Sequence, residues 1–537
     1  MIALALALER EAALACRVTL LAPPNHASFV ASFGVAFAPI GVDTLDFLQR
    51  FQAGQLGGPE LERLSTKMWV DNNDDTWRFC ERERPSLLVY HQAIGAGPSI
   101  AEKLDIPAIE VSFAPWEPTV EFPVYMAPEQ QLLQSRGAER EWIGNMISHV
   151  ASHEGAAFVH NTRAWVAGRE RDMHLAPLPV FGYSEVRRRT LGIPHVLAWS
   201  EHVLPLPLDW QPRSLWHAVG YWFLDEPPHD EAEATFEPSA ELAAFLAAGE
   251  PPVFVGFGSM VSGENDKVLA SVLEATRATG QRCVLSSGWA GLSSDSLPDS
   301  VLLVGAVPHS WLFPRMKAVV HHGGAGTTAA TVRAGVPSVV VSHIADQFFW
   351  GSRLHALGVA AAPMAVGQLS GERLTAALRE ILDSPTMATQ ARALAERVRS
   401  EDGVARMVHL VRDTMRSSGG IFQGRNGGGW AMPDSWRFDA KAVTEDGTPK
   451  VPIDAFWDMV RLKLAEQQPH AAVAYAYEAL HQAPEQCTAE RYRLVLEGLE
   501  KVSPSTDGTG TIAPEERPNA EQVAHVIERI QALSHWW

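Results

Sequence analysis

Short apolar runs alternate with amphipathic stretches from the start of the chain to about residue 418. The runs have the length and flanking residues of buried strands, and the stretches between them have helical spacing. The predicted strands are residues 17–21, 35–40, 86–90, 108–112, 199–207, 252–255, 283–285, 301–304 and 318–320. The predicted helices are residues 2–14, 26–33, 60–72, 97–104 and 265–279, followed by two between 371 and 416. Such alternation predicts an α/β protein whose parallel sheets are covered by helices.

The strongest chemical signal follows the strand predicted at residues 318–320. Three glycines occur within HHGGAGTT at 321–328, and a helix is predicted to begin at Thr327. The free N–H groups at a helix N-terminus bind anions, and glycine lets a phosphate approach the backbone. A tight turn without a ligand is the alternative. The paired histidines and the Asp-Gln pair at 346–347 favour an anion site.

Several motifs together carry a resemblance to a known enzyme family. The motifs are HHGGAGTT at 321–328, RAGVP at 333–337, DQFFWG at 346–351, GFGSM at 256–260 and GYWFLDEP at 220–227. This set resembles the donor-sugar signature of UDP-glycosyltransferases, in the branch of sterol 3-beta-glucosyltransferases and bacterial antibiotic glycosyltransferases of the vancomycin and macrolide type. The resemblance implies the GT-B fold, in which two Rossmann-like domains face a cleft. It also implies inverting transfer of a hexose, expected to be glucose, from a UDP-sugar to a lipophilic acceptor.

The resemblance also assigns the diphosphate and sugar sites residue by residue. The implied diphosphate ligands are Ser259, His322, Gly324, Gly326 and Thr327. The implied sugar ligands are Asp346 and Gln347, since a carboxylate and an amide can bind adjacent hydroxyls. A helix dipole and these donors would neutralise the diphosphate, so neither a metal nor a further cofactor is expected. By strand alternation, His321 is predicted to be structural.

The nucleoside pocket is less well defined by the sequence. Ala306 stands where plant relatives carry a base-stacking tryptophan, so stacking of the uracil is unassigned. The candidate residues are Trp289, Val307 and His309. Packing explains Trp289 equally well.

Aromatic residues are frequent in the stretch 113–170, where the resembled family has its acceptor cleft. The candidate acceptor residues are Phe113, Trp116 and Phe122, because aromatic walls suit a flat apolar molecule. An ordinary hydrophobic core is the alternative interpretation. Glu117 and Glu121 could accept a proton, although surface carboxylates without such a role are common.

The catalytic base is not found among the residues of this chain. In the resembled family it lies in a glycine-rich loop that precedes the helix corresponding to residues 2–10. The sequence therefore predicts that the first strand of the N-terminal domain and the base lie upstream of Met1; a remodelled N-terminal domain is the alternative. His26 is not at the homologous position, and a local hydrogen bond at a helix start explains it more simply.

The composition shifts predict five segments. Residues 216–245 are predicted to be an interdomain linker, and the resemblance implies that residues 1–215 are the acceptor domain and residues 246–418 the donor domain. A glycine-rich linker at 419–429 leads to a tail, 430–537, with no assigned role. Helices are predicted in the tail at 453–465, 471–481, 489–501 and 521–533.

Charge and cysteine content limit the partners and the compartment. The chain has 537 residues and a net charge of −19, which argues against nucleic-acid binding but leaves peripheral membrane contact open. No apolar run is long enough to span a membrane. The four scattered cysteines fit a reducing cytoplasm. The oligomeric state is not indicated.

Two further functions remain open at this stage. A chain without its base could be a non-catalytic protein that binds a nucleotide sugar and interacts with others through its tail. Donor hydrolysis would need only a water in the place of the acceptor.

Overall fold

The computed structural model describes most of the domains and part of the tail. The described residues are 1–44, 46–47, 50, 55–56, 58–119, 121–122, 124, 146, 149, 171–175, 192–210, 213–225, 236–258, 265–286, 297–417, 453–466, 468–482 and 487–502. None of the helices within these ranges has the length and apolar character that a membrane crossing requires.

All strand pairs in the described residues are parallel. The strands are β1 Thr19–Ala22, β2 Ala36–Pro39, β3 Leu88–His91, β4 Ala108–Ser112, β5 His195–Leu197, β6 Trp216–Ala218, β7 Val253–Gly256, β8 Cys283–Ser286, β9 Val301–Val304, β10 Ala318–His321, β11 Ser338–Ser342 and β12 Met364–Ala365. They form sheets of order β1-β2, β3-β4-β5-β6 and β12-β11-β10-β7-β8-β9. The prediction of a parallel α/β architecture is therefore confirmed.

Helices follow most of the strands. The helices are α1 Ile2–Arg10, α2 Ala27–Ser32, α3 Gly58–Glu83, α4 Gly97–Leu104, α5 Ala240–Ala247, α6 Asn265–Thr279, α7 His309–Leu312, α8 Ala325–Ala334, α9 Gln347–Ala356, α10 Gly371–Leu382, α11 Pro385–Arg399, α12 Gly403–Ser417, α13 Ile453–Ala465, α14 Pro469–Gln482 and α15 Ala489–Val502. Helices α4 and α6 have the predicted bounds, whereas α3 extends eleven residues past the predicted end at residue 72. The helix predicted at 521–533 lies outside the described residues.

The predicted strand at residues 199–207 is wrong. Trp199 is fully buried, and its Nε1 donates to the carbonyl of Leu204 at 3.1 Å, which closes a turn. The strands on either side, β5 and β6, are only three residues long each. Because β6 pairs with β5, residues 216–218 belong to the first domain and not to the linker.

The second domain contains a topological switch. The chain runs outward from β7 through β8 to β9, and then returns so that β10 pairs with the other side of β7. In open parallel sheets, ligands bind at the carboxyl ends of the strands at such a point. The loops after β7 and β10 are therefore the predicted location of a ligand.

The C-terminal part of the second domain contains three helices instead of the two predicted from residue 371 to 416. The additional break lies between α11 and α12, where Gly403 packs against the backbone of Gly220 and Tyr221. A Cβ at Gly403 would lie 2.5 Å from the carbonyl oxygen of Tyr221. Helix α12 then crosses to the first domain and packs on α1, where Met407 shares a core with Leu4.

The described part of the tail is a three-helix unit with its own core. Helix α13 has the predicted bounds, and α14 begins two residues before its predicted start. The core of the unit includes Trp457, Tyr477 and Val495, one from each helix, together with Met146 from the first domain. The tail thus contacts the first domain.

Candidate functional site

The glycine loops after β7 and β10 meet at the switch point. His321, the last residue of β10, is in register with Gly256, the last residue of β7. Gly258 lies two residues after Gly256, and His322 lies one residue after His321. A Cβ at Gly258 would lie 3.3 Å from Cε1 of His322. Gly258 has a φ of +62°, a conformation that glycine adopts at little cost. The two loops therefore form one continuous wall.

Gly323 joins this wall to the start of α9. Its φ is +89°, and a Cβ there would lie 2.7 Å from Cγ1 of Val340 and 2.8 Å from the backbone oxygen of Gln347. Its N–H donates to Nδ1 of His321 at 3.1 Å. His321 is fully buried, and burial lowers its pKa to about 3, so the ring is neutral at pH 7. These contacts agree with the structural role predicted for His321.

The N-terminus of α8 opens next to this turn. Gly324 is its N-cap residue and forms no side-chain cap, and the first residue of the helix is Ala325, two residues before the predicted start. Thr328 N–H donates to the Gly324 carbonyl, which leaves the earlier N–H groups directed out of the helix end. A Cβ at Gly326 would meet no atom within 4 Å. Thr327 is the third helical residue, so backbone donors, the dipole and a hydroxyl converge here.

His322 lies beside the helix end as an uncharged donor. Burial, and to a smaller extent the nearby His343 and His309, lower the pKa of His322 to about 4. A Cβ at Gly324 would lie 2.5 Å from Nε2 of His322, so Gly324 leaves the space that the imidazole occupies. At pH 7 the imidazole is uncharged, and it can donate one N–H to an anion.

Asp346 and Gln347 lie at the start of α9. Burial raises the pKa of Asp346 to about 6, while a hydrogen bond from Nε1 of Trp350 at 3.1 Å acts against this. The Gln347 side-chain oxygen accepts the N–H groups of His343 and Ile344 at 2.7 and 3.1 Å. Gln347 thus holds its loop through its side-chain carbonyl oxygen.

A cavity of about 760 Å³ extends from the end of α8 along the interdomain linker. It is lined by Trp222, Phe223, Leu224, Asp225, Val307, Pro308, His309, Ser310, Pro314, Gly326, Ala330, Arg333, Ala334 and Arg399. The imidazole of His309 stacks on Phe313 with ring centroids 4.2 Å apart, and burial lowers its pKa. The predicted nucleoside residues Val307 and His309 therefore share a cavity with Gly326 of the anion site.

Arg333 holds the interdomain linker against helix α8 at the side of this cavity. Its guanidinium forms a bidentate ion pair with Asp225 at 2.6 and 2.7 Å and lies 4.2 Å from the ring centroid of Phe223. Arg399 Nε donates to the Arg333 carbonyl at 2.8 Å. The motif analysis included Arg333 but assigned it no role, because its partners are more than a hundred residues away in sequence.

Replacing Asp225 by asparagine should weaken nucleotide binding slightly. A half-exposed ion pair is worth about 1 kcal/mol or less, so calorimetry should show at most about a five-fold rise in the Kd for UDP, with little change in Tm. Glu237→Gln, at an exposed position within the same linker, is the matched control and should leave the Kd unchanged. Equal Kd values for both variants and the unmodified chain would show that the ion pair does not shape the cavity.

The candidate acceptor residues have different surroundings. Phe113 follows β4 and is half-buried, with its ring 5.7 Å from that of Trp222 in an edge-to-face contact. Phe122 is buried in the core between the domains, 5.1 Å from Phe349 of α9, and Trp116 packs on the same core. Glu121 accepts the N–H of Leu208 at 2.8 Å. Phe113 thus lies at the carboxyl end of an inner strand, whereas Phe122 has the environment of a core residue.

Two predicted site residues, Ser259 and Trp289, lie outside the described residues. Sequence reasoning missed Gly323 as the residue that joins the turn to α9, and Trp350 as the hydrogen-bond partner of Asp346. The signal for Trp350 was its position four residues after Asp346 in a helix, where side chains share a face.

Comparisons with known proteins agree with this geometry. Residues 284–411 match the family model of the erythromycin biosynthesis protein CIII-like C-terminal domain. The sterol 3-beta-glucosyltransferases UGT80A2 and UGT80B1 of Arabidopsis thaliana are each 34% identical to the chain, over 407 and 408 residues. These matches cover 72% and 73% of this chain but 60% and 62% of the relatives, so the chain spans about three fifths of their length.

A solved structure described as the glycotransferase of kitacinnamycin shares the fold. It aligns with a TM-score of 0.55 and 19% identity over 77% of this chain and 95% of the other. The resemblance inferred from the motifs is confirmed. The chain is similar in sequence to sterol 3-beta-glucosyltransferases over about three fifths of their length, and it shares the GT-B fold of the solved glycosyltransferase.

Proposed function

We propose that the protein transfers a hexose, glucose, from a UDP-sugar to the hydroxyl of a lipophilic acceptor such as a sterol, with inversion. This proposal rests on one observation: three features lie close together at the switch point. These are the uncapped N-terminus of α8, the neutral imidazole of His322 and the carboxylate of Asp346. The names of the plant relatives support glucose and a sterol as the substrates.

The donor's diphosphate would bind at the end of α8. The N–H groups near Gly326, the helix dipole and the N–H of His322 stabilise negative charge on the diphosphate, which increases as the sugar leaves. This set of donors requires no metal at the diphosphate. The nucleoside would extend into the cavity beside Val307 and His309.

The sugar would lie against the start of α9. The carboxylate of Asp346 can accept hydrogen bonds from two adjacent hydroxyls, and the amide N–H groups of Gln347 can donate to a third oxygen. Since Gly323 contacts the backbone of Gln347, the sugar and diphosphate sites are held in one rigid arrangement. This geometry fixes the sugar relative to the bond that breaks.

In an inverting transfer the acceptor oxygen attacks C1 of the sugar opposite the diphosphate. A new C–O bond forms, the bond from C1 to the phosphate oxygen breaks, and UDP leaves with the bonding electrons. The hydroxyl proton passes to a base, and no residue of this chain is assigned that role. Phe113 and Trp222, in edge-to-face contact, provide an apolar surface for the acceptor.

The proposed cellular location is based on the lipophilic character of the acceptor and on the reduced state of the cysteines. All four cysteines are free thiols, as expected in a reducing compartment. We therefore propose a cytoplasmic enzyme that meets its lipophilic acceptor at a membrane surface.

Incubation of the full chain with UDP-glucose and a sterol should yield a steryl glucoside. The measurement is product mass together with release of UDP, with and without the sterol, and UDP-galactose and TDP-glucose serve as comparison donors. Release of UDP that does not depend on the sterol would identify donor hydrolysis. Binding of UDP-glucose without turnover would support a binding protein, and no binding by the folded chain would refute the donor site itself.

A further inference from the structure

The proposed sugar ligand Asp346 is held by a tryptophan of its own helix. Asp346 is the N-cap residue of α9, but its side chain forms no cap hydrogen bond. A carboxylate at this position usually accepts the backbone N–H of the second or third helical residue. The Asp346 carboxylate instead accepts the indole N–H of Trp350 at 3.1 Å, from one turn further along α9. The orientation of the carboxylate therefore depends on the position of the indole ring.

The turn before Asp346 has a backbone conformation that needs support. Ala345 has a φ of +52°, in the left-handed region, which costs a residue with a Cβ about 1–2 kcal/mol. Such a conformation persists only where the surrounding contacts fix it. The Gln347 side chain accepts two backbone N–H groups of this turn, and the Trp350 indole holds the carboxylate that follows it. The turn and the carboxylate are thus fixed together by side chains of α9.

The Trp350 indole is packed against the first domain. Trp350 is 1% exposed, and its ring lies edge-to-face on that of Trp199 with centroids 6.0 Å apart. Trp199 is fully buried in the closed turn at residues 199–204. On the next turn of α9, Nε of Arg353 donates to the carbonyl of Val203 in the same segment. Two side chains of α9 therefore seat this helix on the first domain.

The same hydrogen bond affects the charge of Asp346. Burial raises the pKa of Asp346, and the hydrogen bond from Trp350 acts in the opposite direction because it stabilises the ionised carboxylate. His343, in the turn before Asp346, is a neutral imidazole at pH 7, since burial lowers its pKa. Arg353, the next charged residue of α9, donates to the first domain and is not among the causes of the shift in the pKa of Asp346. Without the indole N–H, the pKa of Asp346 would therefore rise further, and the carboxylate would lose its charge at a higher pH.

We propose that Trp350 is a positioning residue for the sugar-binding carboxylate, and that the turn at residues 199–204 of the first domain holds its indole in place. The inference rests on the proposed function, because it takes Asp346 as a ligand of the donor sugar. The indole acts on the sugar only through Asp346, since the ring is buried between α9 and the first domain. Affinity for the sugar part of the donor would then depend on how the domain proposed to bind the acceptor is seated on α9.

The test is calorimetry of the full chain with UDP and UDP-glucose after Trp350→Phe, which keeps an aromatic ring and removes the indole N–H. We expect UDP-glucose to bind about three- to ten-fold more weakly than to the unmodified chain at pH 7, the effect of one lost hydrogen bond. The affinity for UDP should be unchanged, which also shows that the donor domain is folded. The preference for UDP-glucose over UDP should be lost at a higher pH than in the unmodified chain. A purely structural role of the ring would not move this midpoint.

A double-mutant cycle with Asp346→Ala separates positioning from packing. If Trp350 acts through the carboxylate, Trp350→Phe should cause no further loss of UDP-glucose affinity in the Asp346→Ala background. Trp199→Phe, which leaves the indole N–H of Trp350 in place and loosens its support, should cause a smaller loss of about two-fold that is likewise absent in that background. Trp457→Phe is the matched control, because Trp457 is 1% exposed in the core of the tail and its Nε1 has no partner among the described residues. It should leave both affinities and the pH midpoint unchanged.

The outcomes that contradict the inference differ from those that contradict the proposed function. Equal losses from Trp350→Phe in both backgrounds, or an unchanged pH midpoint, would overturn the positioning role of Trp350. If Trp199→Phe bound both ligands as the unmodified chain does, the part assigned to the first domain would be wrong. An unmodified chain without any preference for UDP-glucose over UDP would refute the proposed sugar site itself, and the inference with it.

Discussion

Replacing Gly323 by alanine is expected to destabilise the second domain and to abolish UDP binding. The new Cβ would overlap Val340 and the backbone of Gln347, and alanine at a φ of +89° is strained. Overpacking costs about 1–3 kcal/mol and the left-handed conformation about 1–2 kcal/mol, so a loss of about 2–5 kcal/mol in the free energy of unfolding is expected. Urea unfolding and calorimetry with UDP would measure the two effects.

Gly326→Ala is the matched control, three residues further along the chain in the first turn of α8. A Cβ there meets no protein atom, and alanine raises helix stability by about 0.8–1.0 kcal/mol relative to glycine. Its Tm should be equal or higher, while UDP binding should be weaker because the methyl group enters the space proposed for the diphosphate. Tight UDP binding by Gly326→Ala would place the diphosphate elsewhere, and a normally stable Gly323→Ala would mean that the turn can relax.

Replacing Asp346 by asparagine is expected to remove the contribution of the sugar to donor affinity and to leave the contribution of UDP unchanged. Hydrogen bonds to charged groups contribute about 1.5–3 kcal/mol, which corresponds to a loss of about ten-fold or more in affinity for UDP-glucose. The affinity for UDP should not change, because Asp346 lies at the start of α9 and not at the end of α8. Calorimetry with both ligands measures the difference.

The same carboxylate should make sugar binding dependent on pH. Burial raises its pKa to about 6, so it is ionised above this pH and protonated below it. The ionised form accepts hydrogen bonds from hydroxyls more strongly than the protonated form, so the advantage of UDP-glucose over UDP should decline as the pH falls through about 6. Asp346→Asn should have no such decline.

Asp383→Asn, at an exposed position after α10, is the control for this substitution and should bind both ligands normally. If Asp346→Asn lost UDP and UDP-glucose equally, the side chain would support the loop and not the sugar. If the preference for UDP-glucose were independent of pH, the carboxylate would already be ionised at low pH in the complex.

The hydrophobic pattern predicted most elements of the second domain because its strands are continuous apolar runs. The same criterion failed at residues 199–207. Trp199 is buried there in a closed turn, and burial alone does not distinguish a turn from a strand. Strands β5 and β6 were missed since three residues are too few to establish a pattern.

For the site, the sequence identified the segments but not the division of roles within them. The sequence does not distinguish the role of Gly323 from that of Gly326. The packing does, because Gly323 contacts the start of α9 whereas a Cβ at Gly326 would meet no protein atom. The ion pair of Arg333 with Asp225 joins residues whose proximity depends on the fold.

Helix α9 begins at the proposed sugar ligands and continues into contacts with the first domain. Trp350 donates to Asp346 and also packs edge-to-face on Trp199, and Arg353 Nε donates to the carbonyl of Val203. The two domains are therefore not interchangeable modules. A chimaera that joins this second domain to the first domain of another glycosyltransferase would need to carry matching residues for the outer face of α9, or the orientation of Asp346 would change with the new partner.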